Sequence, residues 1–114
     1  MAGTPKRLFG PLALTTTLTT NVYQGAGASA LLFDVLRMIH IVNKTASAAT
    51  FSLWLGATGA NAAGTELFIG FSVAANSSYD WYCNLRLGST DFLVGGAGTT
   101  LALTITGMGD QSVV

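Results

Sequence analysis

The chain has one cysteine, Cys83, one histidine, His40, and two prolines. A single cysteine excludes an internal disulfide, and one cysteine with one histidine falls short of a structural metal site. Charge is scarce as well. Five Lys and Arg balance five Asp and Glu, so charged residues make up 9% of the 114, against about 25% in ordinary soluble domains. The cations are scattered apart from Lys6 and Arg7, and no basic stripe neutralises phosphates, which argues against nucleic acid as a direct partner. No window reaches about 18 uninterrupted apolar residues, because Asp34, Arg37 and His40 break the best one, so a membrane-spanning helix is not expected. Gly10, Pro11 and a threonine run follow Lys6 and Arg7 where a signal peptide would have its apolar core. Synthesis in the cytoplasm without a cleaved signal is therefore expected. Helical periodicity and long internal repeats are both missing.

Hydrophobic residues, by contrast, are half of the chain. So much apolar surface with so little charge implies that part of the surface is covered by another molecule. The length suits one domain with one core. The longest apolar stretch, Leu31 to Asn43, is apolar at both parities, as in a strand covered on both sides. After the short polar loop Lys44 to Ala48 comes Ala49 to Gly56, with Phe51, Leu53 and Leu55 on one face and Thr50, Ser52 and Trp54 on the other. These two strands form the expected centre of the fold.

Further strands are expected around them. Arg7 to Thr15 contains Gly10 and Pro11, and so belongs at an edge or a bulge. Leu18 to Gln24 is short, and Gly25 to Ala30 is a flexible connection. Glu66 to Val73 sets Leu67, Ile69, Phe71 and Val73 in period two. Ser77 to Leu87 sets Tyr79, Trp81, Cys83, Leu85 and Leu87 against Asp80, Tyr82, Asn84 and Arg86. Phe92 to Val94 ends at a glycine cluster, and Leu101 to Ile105 precedes a glycine-rich tail. The expected fold is all-β: a single sandwich of about eight antiparallel strands over residues 1–114, jelly-roll-like or immunoglobulin-like, with a short N-terminal arm over about residues 1–8.

Residues able to do chemistry lack company. His40 sits between isoleucines; at simple alternation it shares a face with Asp34 and not with Arg37. That suits a structural or interfacial histidine better than a base or ligand. Cys83, among aromatic residues, reads as a small core residue, since a nucleophile needs a base beside it. Asp34, Glu66, Asp80, Asp91 and Asp110 form no paired motif of the kind that glycoside hydrolysis uses. Gly95, Gly96 and Gly98 lack the lysine of a phosphate cradle. Tyr79, Trp81, Tyr82 and Trp54 concentrate aromatic area, which suits a core or a subunit interface before a sugar platform. No catalytic residue, cofactor, metal or small-molecule substrate is assigned.

One pattern runs through most of the chain after Leu31. Ile41 and Asn43 close a strand; Thr50, Phe51 and Leu53 open the next. Val73 to Ser77 form a Val-Ala-Ala-Asn-Ser turn. Leu87, Gly88 and Asp91 make a turn stretched by Ser89 and Thr90, and Thr104, Ile105 and Gly107 close the pattern. It resembles small all-β virion proteins of tailed bacteriophages, of the capsid decoration (cement) or tail-associated type. The resemblance implies a non-enzymatic structural subunit of the virion. Its first form is a cement protein bridging capsid subunits, in contact with the major capsid protein or other virion subunits and assembled with itself, as a trimer in first place. Its second form is a tail, collar or baseplate-associated module, structural or host glycan-binding. The expected interface consists of Lys6, Arg7, Leu8 and Phe9 of the arm, with Trp54 and Trp81.

Overall fold

A computed structural model describes residues 3–114 and contains eight strands: β1 (Thr4–Ala13), β2 (Asn21–Gln24), β3 (Leu32–Asn43), β4 (Ala49–Gly56), β5 (Glu66–Val73), β6 (Ser77–Leu87), β7 (Phe92–Ala97) and β8 (Leu103–Val113). They form two four-stranded antiparallel sheets, ordered β1-β8-β3-β6 and β2-β7-β4-β5. The first strand pairs with the eighth, the second with the seventh, the third with the sixth and the fourth with the fifth. A long hairpin rolled on itself gives this order, which decides between the two expected sandwiches for the jelly roll. No helix among the described residues is long and apolar enough to cross a membrane.

The core follows from alternation. Leu36, Ile39 and Ile41 of β3 meet Phe51 and Leu53 of β4, Leu93 of β7 and Leu103 and Ile105 of β8, all buried. At one side β5 and β6 close the sandwich with rings. Phe68 lies edge-on to Trp81 at 4.9 Å between centroids, and Phe71 lies 4.5 Å from Tyr79. Such ring pairs contribute about 0.5–1.5 kcal/mol each beyond their buried area.

Two bulges change which residues face inward. In β3 the pairing slips between Leu36 and Met38. Asp34 and Leu36 point in on one side of the slip and Ile39, Ile41 and Asn43 on the other. In β5 the pairing slips between Phe71 and Phe68, at Gly70 with φ 55°. The expected period-two face of β5 is thereby broken: Phe68 turns to the core and Ile69 is 62% exposed. An extra residue in one strand reverses every side chain beyond it.

Both ends of the chain are more ordered into sheet than the sequence pattern suggests. Residues Thr4 to Leu8, expected as an arm, are the first half of β1 and pair with β8 from Thr4 opposite Gln111. Residues 1 and 2 of that arm lie outside the described residues. Edge placement and irregular pairing of β1 around Gly10 and Pro11 agree with expectation. The glycine-rich tail is the body of β8, because Gly107 receives the Phe9 ring where a side chain would stand.

Outside the sheets, Ala26 (φ 56°) and Ala28 (φ 70°) flank Gly27 in a left-handed turn, and Leu101 has φ 59°. Alanine and leucine pay about 1–2 kcal/mol in this region, which glycine does not. Leu101 is also 63% exposed. Ala28→Gly and Leu101→Gly are each expected to raise stability by about 0.5–1 kcal/mol, measured by urea denaturation. A loss of stability in either variant would show that the side chain makes contacts worth more than the strain.

Candidate functional site

The two sheets treat their outer faces differently. On β2-β7-β4-β5, the loop after β4 returns across β7: Thr58 accepts a hydrogen bond from the Asn21 side chain (2.8 Å), and the Gly59 amide donates to Asn21 (2.7 Å). Asn21 belongs to β2, two strands from β4, and stands opposite Val94. The loop thus passes over the level of Val94 and Trp54, both buried though outside the central core.

Among the described residues, nothing crosses the outer face of β1-β8-β3-β6 in this way. One row across it reads Tyr82, Met38, Met108 and Arg7, on β6, β3, β8 and β1 in turn. The next row holds Asp80, His40 and Thr106, and the one after it Ser78, Val42 and Thr104. On the other side Val35 stands between Arg86 and Asp110, and Phe33 lies under the Arg86 guanidinium, 4.5 Å from its ring centroid. Met38, Val35, Val42, Phe33 and Met108 are half-buried and Tyr82 is 73% exposed. The double-sided apolar pattern of β3 thus divides into one core face and one open face.

Two clusters of paired polar side chains lie on this face. Arg37 Nε donates to Asp110 Oδ2 at 2.7 Å, and its guanidinium also reaches Asn84 Oδ1. His40 Nδ1 meets the Asp80 carboxylate. The register, with His40 opposite Asp80, supplies this partner, and simple alternation had supplied Asp34. The bulge in β3 sends Asp34 inward and leaves His40 and Arg37 on the outer face together. No serine, threonine or cysteine among the described residues hydrogen-bonds to the remaining His40 nitrogen, so the dyad has no nucleophile to activate. At its end of the sheet a shallow groove of about 390 Å³ is bordered by His40, Val42, Lys44, Asn76 and Ser77.

Cys83 lies on the inner side of β6, with Sγ donating to the Leu36 carbonyl (3.3 Å). Burial pushes its thiol pKa up, which keeps it protonated and poorly nucleophilic. No group of three or more His, Cys, Asp or Glu among the described residues could hold a metal ion.

Asp34 is the most confined charge and has a structural task. Its carboxylate, fully buried, accepts hydrogen bonds from the Tyr23 hydroxyl, the Ala26 amide (2.7 Å) and Gln111 Nε2 (3.0 Å). It ties the left-handed turn to both sheets. Burial first, then the hydrogen bond and negative charge of Asp34, push the Tyr23 hydroxyl well above its ordinary pKa of about 10. A raised pKa in the folded state means that stability is complete below the unfolded value and falls as pH rises past it. Wild type is therefore expected to lose stability above about pH 10, and Tyr23→Phe to show a flatter profile there. At neutral pH that variant should lose about 1–2 kcal/mol. Denaturation followed from pH 7 to 11 is the check, and equal alkaline slopes would refute it.

Of the residues expected at an interface, Lys6 and Arg7 are exposed on the edge strand and Leu8 is half-buried. Phe9 is buried and stacked on Tyr23 at 5.0 Å, Trp54 is buried on β4, and Trp81 faces inward among the phenylalanines. On the outer face of β1-β8-β3-β6, by contrast, Tyr82 is exposed beside half-buried Met38 and Met108. Comparison with protein families, with curated proteins and with solved structures returns no match.

Proposed function

We propose that this chain is a non-enzymatic structural subunit of a tailed-bacteriophage virion, in first place a capsid decoration protein that stabilises the shell by bridging capsid subunits. Its partners are then the major capsid protein or other virion subunits and further copies of itself, and its location is the virion after synthesis in the host cytoplasm. The observation that carries this reading is the open apolar face of β1-β8-β3-β6 on a domain of balanced, sparse charge. Jelly rolls serve viral capsids, lectins and cupins alike, so the fold by itself leaves function open. The face favours assembly, since large apolar patches mark sites of protein contact. Particles lacking the protein are expected to release their DNA at lower temperature or milder osmotic shock. Equal resistance, with the protein found at the tail, would overturn the decoration role.

The groove beside His40 favours a second reading, a tail, collar or baseplate module that binds a host glycan. Of the four aromatic candidates Tyr82 alone is exposed, one alternate residue along β6 from Asp80. Glycan-array binding lost in Tyr82→Ala would establish it, and a silent array would dismiss it.

A further inference from the structure

We infer that the outer face of β1-β8-β3-β6 seats a second copy of this chain, face to face about a twofold axis. This deepens the assembly role proposed above by naming one partner and the surface that meets it, and it replaces the trimer that the sequence resemblance implies.

The anatomy of the face supports the inference first. Its middle is the row Tyr82–Met38–Met108, with Val35, Val42 and Phe33 along β3 on either side. Around that middle stand Arg7, Arg37 and Arg86, each on an outward position. These four strands hold no glutamate and one lysine, Lys6, which is exposed at the β1 edge and bonds Gln111. Protein interfaces enrich Tyr, Met and Arg at the expense of Lys and Glu, around a centre poor in charge.

Charge identifies the occupant. Asp80 and Asp110 are interleaved with the arginines and His40, so neither a polyanion nor a polycation fits the face. A surface with Arg37, Arg86 and Asp110 on one side of its middle row and Asp80 and His40 on the other carries both signs and fits itself. A twofold axis lying along the Tyr82–Met38–Met108 row brings the Arg37 side of one copy over the Asp80–His40 side of the other, and Met38 over Met38. Isologous contacts of this kind are the commonest in soluble oligomers.

Size agrees. The molecule measures 44 × 27 × 19 Å, so its broad face has an outline of roughly 1,200 Å², above the roughly 800 Å² per partner of a standard stable interface. The opposite face completes the argument. There the loop after β4 bonds Asn21 of β2, and Trp54 and Val94 are buried, whereas Met38 and Met108 are half-buried with no segment bonded across them among the described residues.

The test uses the purified full chain in sedimentation velocity. Wild type is expected to be a dimer at micromolar concentration. Met38→Glu should weaken the dimer by about 100-fold or more and Tyr82→Lys by about 10-fold. Ile69→Lys, on β5 of the other sheet, should leave it intact. Circular dichroism and Tm verify folding; if Met38→Glu does not fold, Tyr82→Lys decides, because its side chain is exposed on an edge strand. A wild-type monomer up to about 100 µM, or a dimer broken by Ile69→Lys and not by Tyr82→Lys, overturns the inference. A monomer that still binds particles through Met38 assigns the face to another virion protein and leaves the assembly role standing. A dimer that never enters particles does the reverse.

Discussion

Asp34→Ala is expected to lose about 4 kcal/mol of stability and about 15 °C in Tm, the largest effect of any polar substitution in the chain. Three donors converge on this carboxylate: the Tyr23 hydroxyl, the Ala26 amide and the Gln111 amide group. Alanine leaves all three without their acceptor at a position that is itself fully buried, and each orphaned donor costs about 1–3 kcal/mol. The left-handed turn suffers as well, because the bond to Ala26 holds a non-glycine residue at φ 56°. Asp34→Asn keeps one acceptor oxygen and should fall between wild type and alanine. Urea titrations of the three proteins check the order, and an alanine variant within about 1 kcal/mol of wild type would mean that water reaches the cluster.

Gly95→Ala is expected to cost about 3 kcal/mol or more and to cut the yield of folded protein. A Cβ at this position of β7 would stand 2.1 Å from the Ser52 carbonyl of the paired strand β4. Gly109 repeats the arrangement in β8, with a Cβ 2.1 Å from the Val35 carbonyl of β3. The obstacle is backbone in both cases and cannot swing aside as a flexible side chain would. Gly56 serves as the control, for a Cβ there meets nothing within 4 Å. Gly56→Ala should be neutral or stabilising by a few tenths of a kcal/mol, since it removes freedom from the unfolded chain alone. Thermal unfolding of the three variants tests the contrast, and an equal response at Gly56 and Gly95 would sink it.

The same glycines explain why the end of the fold was harder to read than its middle. Where alternation is unbroken and the residues are large, as in β4 and β6, the pattern gives both the span and the inward face: Phe51 and Leu53, then Tyr79 to Leu87 at every second position. Gly95, Gly96, Gly107 and Gly109 look like turns because glycine usually breaks strands, yet here they let a neighbour approach. The contact that demands glycine is with a residue distant in sequence, so no local pattern reveals it. The phase of β3 was lost for a similar reason. One bulged residue beside Arg37 puts Asp34 and His40 on opposite faces, and only pairing with β6 and β8 shows the slip. The open face was half legible, since apolar residues at both parities of β3 imply two covered sides. Tyr82 and Met108 joined it through register, whereas Phe9 and Trp54, large and apolar, turned out to be covered by the chain itself.

The pairing of β1 with β8 also bears on how the molecule is made. Thr4 finds its partner at Gln111, and β3 waits for the same β8 along its whole length. On a ribosome these two strands must be held open until β8 has emerged, because neither can complete its sheet earlier. Closing loops of this length is slow, and folding in the millisecond-to-second range typical of all-β sandwiches is the expectation. During that interval Leu36, Ile39 and Ile41 lack their β8 neighbours, while Val35 and Met38 stand on the other side of the strand. The nascent chain is at greatest risk of aggregation at that moment, and its sparse charge gives it little protection.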